Sequence, residues 1–212
     1  MSAGLVFDSK GGLWDAEGRT FDAWHWAWRA AGAPPDGAVA VSETAALRHI
    51  CKEMGARRVP VGVIGPRDAS AEQAAVAEEV GRLLADHGLA LVCGGRSGVM
   101  AAAAKGARQA GGLTIGLLPG SDWREANADI EIPLATGLSE GRNMVIAKAS
   151  AALIAVGGSY GTLSEVAYGL HFDKPVFGLA GAPEIAGLVP VATPEEIMQP
   201  LARYLIFGAK PS

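Results

Sequence analysis

The stretch "EGRNMVIAKASAALIAVGGSYGTLSE" opens near an arginine, Arg142, closes on a glutamate, Glu165, and holds a glycine cluster between them. Those residue types suit one kind of chemistry. A guanidinium offers a rigid fork of donors to a phosphate or carboxylate. A carboxylate near a helix start can hold hydroxyls, steady a developing positive charge or take a proton from water. Gly157, Gly158 and Gly161 let backbone approach a ligand closely, and Ser159 and Thr162 add hydroxyls. "CGGRSGVM" repeats the device, with Gly94 and Gly95 at a strand end, Arg96 as a cation and Ser97 as a hydroxyl. The helix that follows would present unpaired amides to an anion. "VIGPRDAS" supplies a third such end, at Gly65. Any one of these turns is explained as a tight strand-to-helix connection. Together they point to a face prepared for a phosphorylated ligand.

Arg142 and Glu165 need helices to place them. If "SEGRNMVIAKAS" is a helix capped by Ser139, Arg142 shares a face with Val145, Ile146 and Ala149. An arginine on an apolar stripe must find an anion or a carboxylate, so a ligand or Glu165 is its natural partner. In the helix after the glycine cluster, Leu163, Val166, Ala167 and Leu170 make the packing stripe. That register puts Glu165 on the opposite side, outside the core.

From Val61 onward, short apolar runs such as "VGVIG", "LALVCGG" and "AALIAVGG" alternate with helical patterns. Near-continuous apolar strands alternating with helices predict a Rossmann-like, doubly wound parallel sheet covered on both faces. Such sheets bind ligands beyond the carboxyl ends of their strands. Ser70 and Gln73 form a capping box for the helix after "VGVIG". Pro200 shortens or kinks the closing helix "TPEEIMQPLARYLIFG". Residues 1–58 read as a small aromatic-rich annex, and residues 59–212 as the ligand-binding domain. Four of the five tryptophans lie before residue 30. "GLVFDSKGGLWD" predicts a hairpin around Lys10-Gly11-Gly12, and "FDAWHWAWRAAGAPP" a helix with Phe21, Trp24 and Trp28 on one face. This annex either packs on the main sheet or serves as a lid or subunit contact.

The chain has 212 residues and a net charge of −4 without a basic stripe, which points away from a nucleic-acid partner. Its apolar runs are broken by glycine well short of a membrane span, and no signal peptide is visible at the N-terminus. Cys51 and Cys93 lack metal or redox spacing and read as free thiols of a cytoplasmic protein. No metal and no cofactor are expected.

An arginine leading into a helix, an apolar strand, a GGxGTxxE motif and "KPV" resemble the lonely-guy (LOG) superfamily, over about Val61 to Gly181. The "GRN…ALIAVGGxYGTLSE" pattern is similar to the subgroup that includes molybdenum cofactor carrier proteins. Characterised LOG enzymes are phosphoribohydrolases that cleave a nucleoside 5′-monophosphate, AMP or cytokinin-type, to free base and ribose 5-phosphate. By that resemblance Arg142 matches their catalytic arginine and Glu165 their catalytic glutamate, while Gly158, Gly161 and Thr162 match the phosphate and ribose loop. Lys148 falls where they carry a second helix arginine. Here Gly157 replaces the proline of PGGxGTxxE, and "EGRN" replaces "HxRK", which puts Asn143 where they have lysine. The resemblance implies phosphoribohydrolase activity or, as the alternative, a non-catalytic nucleotide or molybdenum cofactor carrier or sensor. It also implies a homodimer or higher homo-oligomer with sites completed at a subunit interface.

Overall fold

The computed structural model describes residues 4–211. The chain begins with four short antiparallel strands: β1 (Val6–Phe7), β2 (Leu13–Trp14), β3 (Arg19–Asp22) and β4 (Ala27–Ala30). β5 (Val39–Ala40) returns beside β1, giving the order β4-β3-β2-β1-β5. The expected hairpin around Lys10-Gly11-Gly12 is β1–β2. The expected helix over "FDAWHWAW" is instead the β3–β4 hairpin, in which Phe21 faces Trp28 across the strands at 5.1 Å. The reason lies in a seven-residue rhythm. Phe7-Asp8, Trp14-Asp15 and Phe21-Asp22 each set an aromatic and then an aspartate at a strand end, where the aspartate opens the turn. Asp8 Oδ1 accepts the Lys10 and Gly12 amides, Asp15 Oδ1 those of Glu17 and Arg19, and Asp22 Oδ1 that of His25. An Asx turn of this kind competes directly with helix formation. Trp26, at φ 52°, then turns the chain in the left-handed region that a helix cannot use. Trp24 lies off the shared face, more than half exposed, with the Arg57 guanidinium over its ring.

After α1 (Glu43–Lys52) come β6 (Pro60–Ile64), α2 (Ala71–Asp86), β7 (Ala90–Cys93), α3 (Val99–Gln109), β8 (Thr114–Leu118) and β9 (Ile132–Ala135). The chain then runs through α4 (Arg142–Ala149), β10 (Ala152–Val156), α5 (Tyr160–His171), β11 (Val176–Leu179), β12 (Leu188–Pro190) and α6 (Met198–Phe207). The seven strands β6 to β12 form one parallel sheet, ordered β12-β11-β10-β6-β7-β8-β9. The fold is therefore the expected Rossmann-like doubly wound α/β arrangement, with a small antiparallel sheet before it. β12 was not legible in the sequence. A 3-10 turn, Pro194–Ile197, precedes α6, and Pro200 falls in the first turn of that helix, where a missing amide costs no intrahelical bond.

Side chains alternate between two cores. Ile154 and Val156 of β10 point to α2, α3 and α6, whereas Leu153 and Ala155 point to Ile146 of α4 and Val166 of α5. Leu13, Phe21 and Leu47 join the first of these cores, so the N-terminal sheet shares the apolar interior of the main sheet. Trp28 stacks on Phe207 and donates its indole N–H to Ile206 O at 3.0 Å, and Arg203 pairs with buried Glu43. The annex thus grips α6, and none of its described residues lines the cleft.

The capping box forms as expected: the Gln73 amide donates to Ser70 Oγ and Gln73 Oε1 accepts from the Ser70 amide, both at 3.1 Å. Among the described residues no helix is long and apolar enough to cross a membrane.

Candidate functional site

From β6 the chain steps outward to β9 on one side, then returns to lay β10 against the other side of β6. The strand order reverses between these two, and a crevice opens beyond their carboxyl ends at such a point. Here it is a cleft of about 560 Å³. Its walls come from the loop after β6, Gly94 at the end of β7, the first residues of α4 and the first turn of α5.

Arg142 is the first residue of α4 and only 6% exposed. Ser139 does not cap this helix. It has φ 49° in a 3-10 turn, Ser139–Gly141, that delivers the chain to Arg142 without a side-chain cap. The guanidinium lies across the end of β7, where a Cβ on Gly94 would overlap it. Glycine at 94 is what leaves the arginine its place. Nη1 of Arg142 approaches Glu165 Oε1 at 3.8 Å, too far for a hydrogen bond, and is buried without an acceptor.

Glu165 is also 6% exposed, which corrects the expectation that it lies outside the core. The buried face of α5 is Thr162, Glu165, Val166 and Gly169, whereas Leu163 and Tyr168 are partly exposed at 39% and 37%. The true stripe has the helical i, i+3, i+4, i+7 spacing, but a threonine, a glutamate and a glycine occupy three of its four places. Side-chain polarity therefore hid it. Gly169 is needed there because a Cβ would meet Val176 at 3.0 Å and press into Leu153.

Burial raises the Glu165 carboxyl to about 7, against the opposing pull of Arg142. Burial likewise lowers the Arg142 pKa, with Glu165 opposing. A carboxyl near 7 can exchange protons at neutral pH. Cys93, at the end of β7, is pushed up to about 11 by burial and accepts the Gly95 amide at 3.3 Å, so it is an inert thiol. Burial raises Cys51 to about 12.

The first turn of α5 is shaped by Ser159, whose Oγ accepts the Thr162 amide at 3.3 Å and lies 3.0 Å from Thr162 Oγ1. Asn143 ties this turn to α4 by donating to Ser164 Oγ at 3.0 Å. Gly157 has φ +66°, a value closed to proline, whose ring fixes φ near −65°. The turn after β10 therefore has a shape that the motif proline could not take.

Of the residues singled out from sequence, the cleft wall gathers Arg142, Glu165, Gly65, Gly94, Ser159, Gly161 and Thr162. Gly157 and Gly158 do not line it; Gly157 lies against Gln73 and Gly158 close to Pro183. Gly95, Arg96 and Ser97 lie off the wall. Arg96 is ion-paired with Glu125, and the Ser97 hydroxyl donates to Arg67 O at 3.3 Å. The first amide of α3, that of Val99, is taken by Pro66 O at 3.1 Å, so the start of this helix is closed by the loop after β6. Arg67, Asp68 and Glu140 line the cleft and were not singled out, and Asn143, noted only as a departure from the family pattern, lines it too. Arg67 and Asp68 were within reach, since only Pro66 separates them from Gly65 of the third glycine-rich strand end.

An uncharacterized protein of Archaeoglobus fulgidus is 44% identical over 137 residues, 64% of this chain and 89% of the relative. The solved structure of the molybdenum cofactor binding protein from Rippkaea orientalis superposes with TM-score 0.66 and 34% identity, over 71% of this chain and 98% of that one. The molybdenum cofactor carrier protein from Chlamydomonas reinhardtii gives TM-score 0.65 and 37% identity, over 70% and 99%. These similarities extend the LOG-like resemblance drawn from the motifs. Residues 58–199, which include every residue of the cleft wall named above, match the SLOG cluster4 family, and the chain belongs to that family.

Proposed function

We propose that the cleft binds a nucleoside 5′-monophosphate and that Arg142 and Glu165 act on its N-glycosidic bond. The observation that carries this reading is the buried pair itself. An arginine hydrogen without an acceptor beside a carboxyl raised to about 7 is costly to the fold and useful to a reaction. A volume of about 560 Å³ suits a ligand of nucleotide size. In the reaction, the bond from C1′ to the base nitrogen breaks as the sugar gains oxocarbenium character. Glu165, as carboxylate, steadies that charge and takes a proton from the water whose oxygen bonds to C1′. Arg142 donates to the leaving base, which picks up the proton. The products are free base and ribose 5-phosphate.

A second reading, a non-catalytic carrier of molybdenum cofactor, is favoured by the two solved relatives and by the departures at Gly157 and Asn143. Both ligands join a phosphate to a flat heterocycle, so both fit the same wall. One experiment separates them. The protein is incubated with AMP and other 5′-monophosphates, free base is measured by chromatography, and the purified protein is assayed for bound molybdenum and pterin. Base release that is lost in Arg142→Ala and Glu165→Ala supports hydrolysis. Nucleotide binding without release contradicts it, and co-purified pterin moves the assignment to the carrier.

The apolar outer residues Met144, Leu163 and Tyr168 of α4 and α5, with Ile132 and Leu134 of the edge strand β9, support a homo-oligomer built on this side. Two free thiols are in keeping with a cytoplasmic protein.

A further inference from the structure

Arg67 stands on the loop between β6 and α2. Because β6 and β10 are sheet neighbours, that loop adjoins the turn leading into α5. The loop is fixed by its backbone, since Pro66 O accepts the Val99 amide at 3.1 Å and Arg67 O accepts the Ser97 hydroxyl at 3.3 Å. The Arg67 side chain is left exposed on the cleft wall, and it makes no ion pair among the described residues. Its charge works against that of Arg142, which is buried deeper in the same cleft and has a hydrogen without an acceptor. Two guanidinium groups facing one cleft, the inner one short of an acceptor, are arranged for an anionic ligand rather than for each other.

We infer that Arg67 selects for the phosphate of the ligand: together with the first turn of α5 it holds that group at the mouth of the cleft. Arg142 and Glu165 are thereby left free on the floor for the sugar and heterocycle. The inference rests on the nucleotide-class reading of the cleft and adds a residue and a division of labour to it. Ser159 Oγ, the Thr162 hydroxyl and the amides opening α5 supply neutral donors, and Arg67 supplies the charge that makes a phosphomonoester preferable to a free hydroxyl. Affinity gained at the mouth also contributes to the rate at the floor, because it positions the bond between Arg142 and Glu165.

The test is isothermal titration of the wild type, Arg67→Ala and Arg67→Lys with AMP, adenosine and inorganic phosphate, at low and high salt. Arg67→Ala is expected to weaken AMP binding by on the order of tenfold or more at low salt while leaving adenosine unchanged. Its preference for the phosphorylated ligand then collapses, and the difference from wild type shrinks at high salt. Arg67→Lys is expected to restore part of the preference, since it keeps the charge and loses the fork. Thermal melts of both variants should match wild type, because the side chain is exposed. If Arg67→Ala keeps the wild-type preference for AMP over adenosine, the inference is overturned while the nucleotide reading stands. If the wild type prefers AMP to adenosine not at all, the nucleotide reading falls and the role of Arg67 with it.

Discussion

The N-terminal meander and the cleft treat their carboxylates in opposite ways. In the meander each aspartate is spent on its own turn. Asp8 accepts the Trp14 indole N–H at 2.8 Å as well as the Gly12 and Lys10 amides, and these bonds hold its carboxyl below the ordinary range. The His25 amide and ring do the same for Asp22. In the cleft, Glu165 is buried and accepts no hydrogen bond among the described residues, its pKa is raised, and Nη1 of the arginine beside it is buried without an acceptor. Polar groups that satisfy one another build a structure, and buried polar groups left unsatisfied mark a place where something else completes them. One chain contains both cases, which makes each the control for the other.

The largest expected effect comes from the cleft. Glu165→Gln keeps the shape and removes the carboxylate, so base release from a 5′-monophosphate should fall by roughly 10²–10⁴-fold, read as kcat with KM changed little. Gly94→Ala should approach the same loss with both functional residues still in the sequence, because the added methyl displaces the Arg142 guanidinium. Full activity in Gly94→Ala would mean that the position of Arg142 does not matter.

The matching change in the meander should have the opposite signature. Asp15 is 3% exposed, and its carboxylate binds the Glu17 and Arg19 amides and the Arg19 side chain. Asp15→Ala should cost about 1–3 kcal/mol of stability and lower Tm by roughly 3–10 °C, with ligand binding unchanged well below the melt. A loss of binding at constant Tm would show that the two regions are coupled.

The contrast extends to pH, with signs that can be worked out. The Glu165 carboxyl is raised from its ordinary 4.5 to about 7, so the folded state holds the proton more tightly than the unfolded state. Its contribution to stability is complete below about 4.5 and is lost as pH rises to about 7. Asp8 and Asp22 are depressed, so their contribution is present above the ordinary carboxylate range and is lost as pH falls below it. Melts across pH should therefore lose a neutral limb in Glu165→Gln and an acid limb in Asp8→Asn. Turnover should rise through about pH 7 as Glu165 ionises, opposite to its effect on stability.

These regions also differ in how well the sequence announced them. Strand ends marked by Gly65, Gly94 and Gly157 were legible because a buried parallel sheet writes itself as apolar runs that stop at glycine. The spacing of Arg142, Gly157 and Glu165 located the cleft because it keeps the register of the LOG motif. The inward turn of Glu165 was not legible, because three of the four places on the buried stripe of α5 carry residues that do not look buried. The meander was misread in part because Phe21, Trp24 and Trp28 also fit a helical face. The repeat of an aromatic followed by aspartate at 7–8, 14–15 and 21–22 was the available sign, and it depends on side chains that bond their own turns rather than on hydrophobic period. Arg67 and Asp68, though close to Gly65, were not legible as cleft residues, because a charged pair after a turn proline reads the same whether it faces a ligand or open water.

The claim that the buried pair exists for a ligand rather than for the fold is tested most directly by the double variant Arg142→Met, Glu165→Met. Replacing a buried ion pair by apolar residues of similar size is neutral or stabilising by up to about 4 kcal/mol when the pair does not hold the structure together. Thermal melts with and without AMP should show a double variant at least as stable as wild type whose Tm no longer responds to the nucleotide, whereas wild type does respond. A double variant that melts well below wild type, beside a wild type indifferent to AMP, would show that the pair belongs to the fold and would contradict the account.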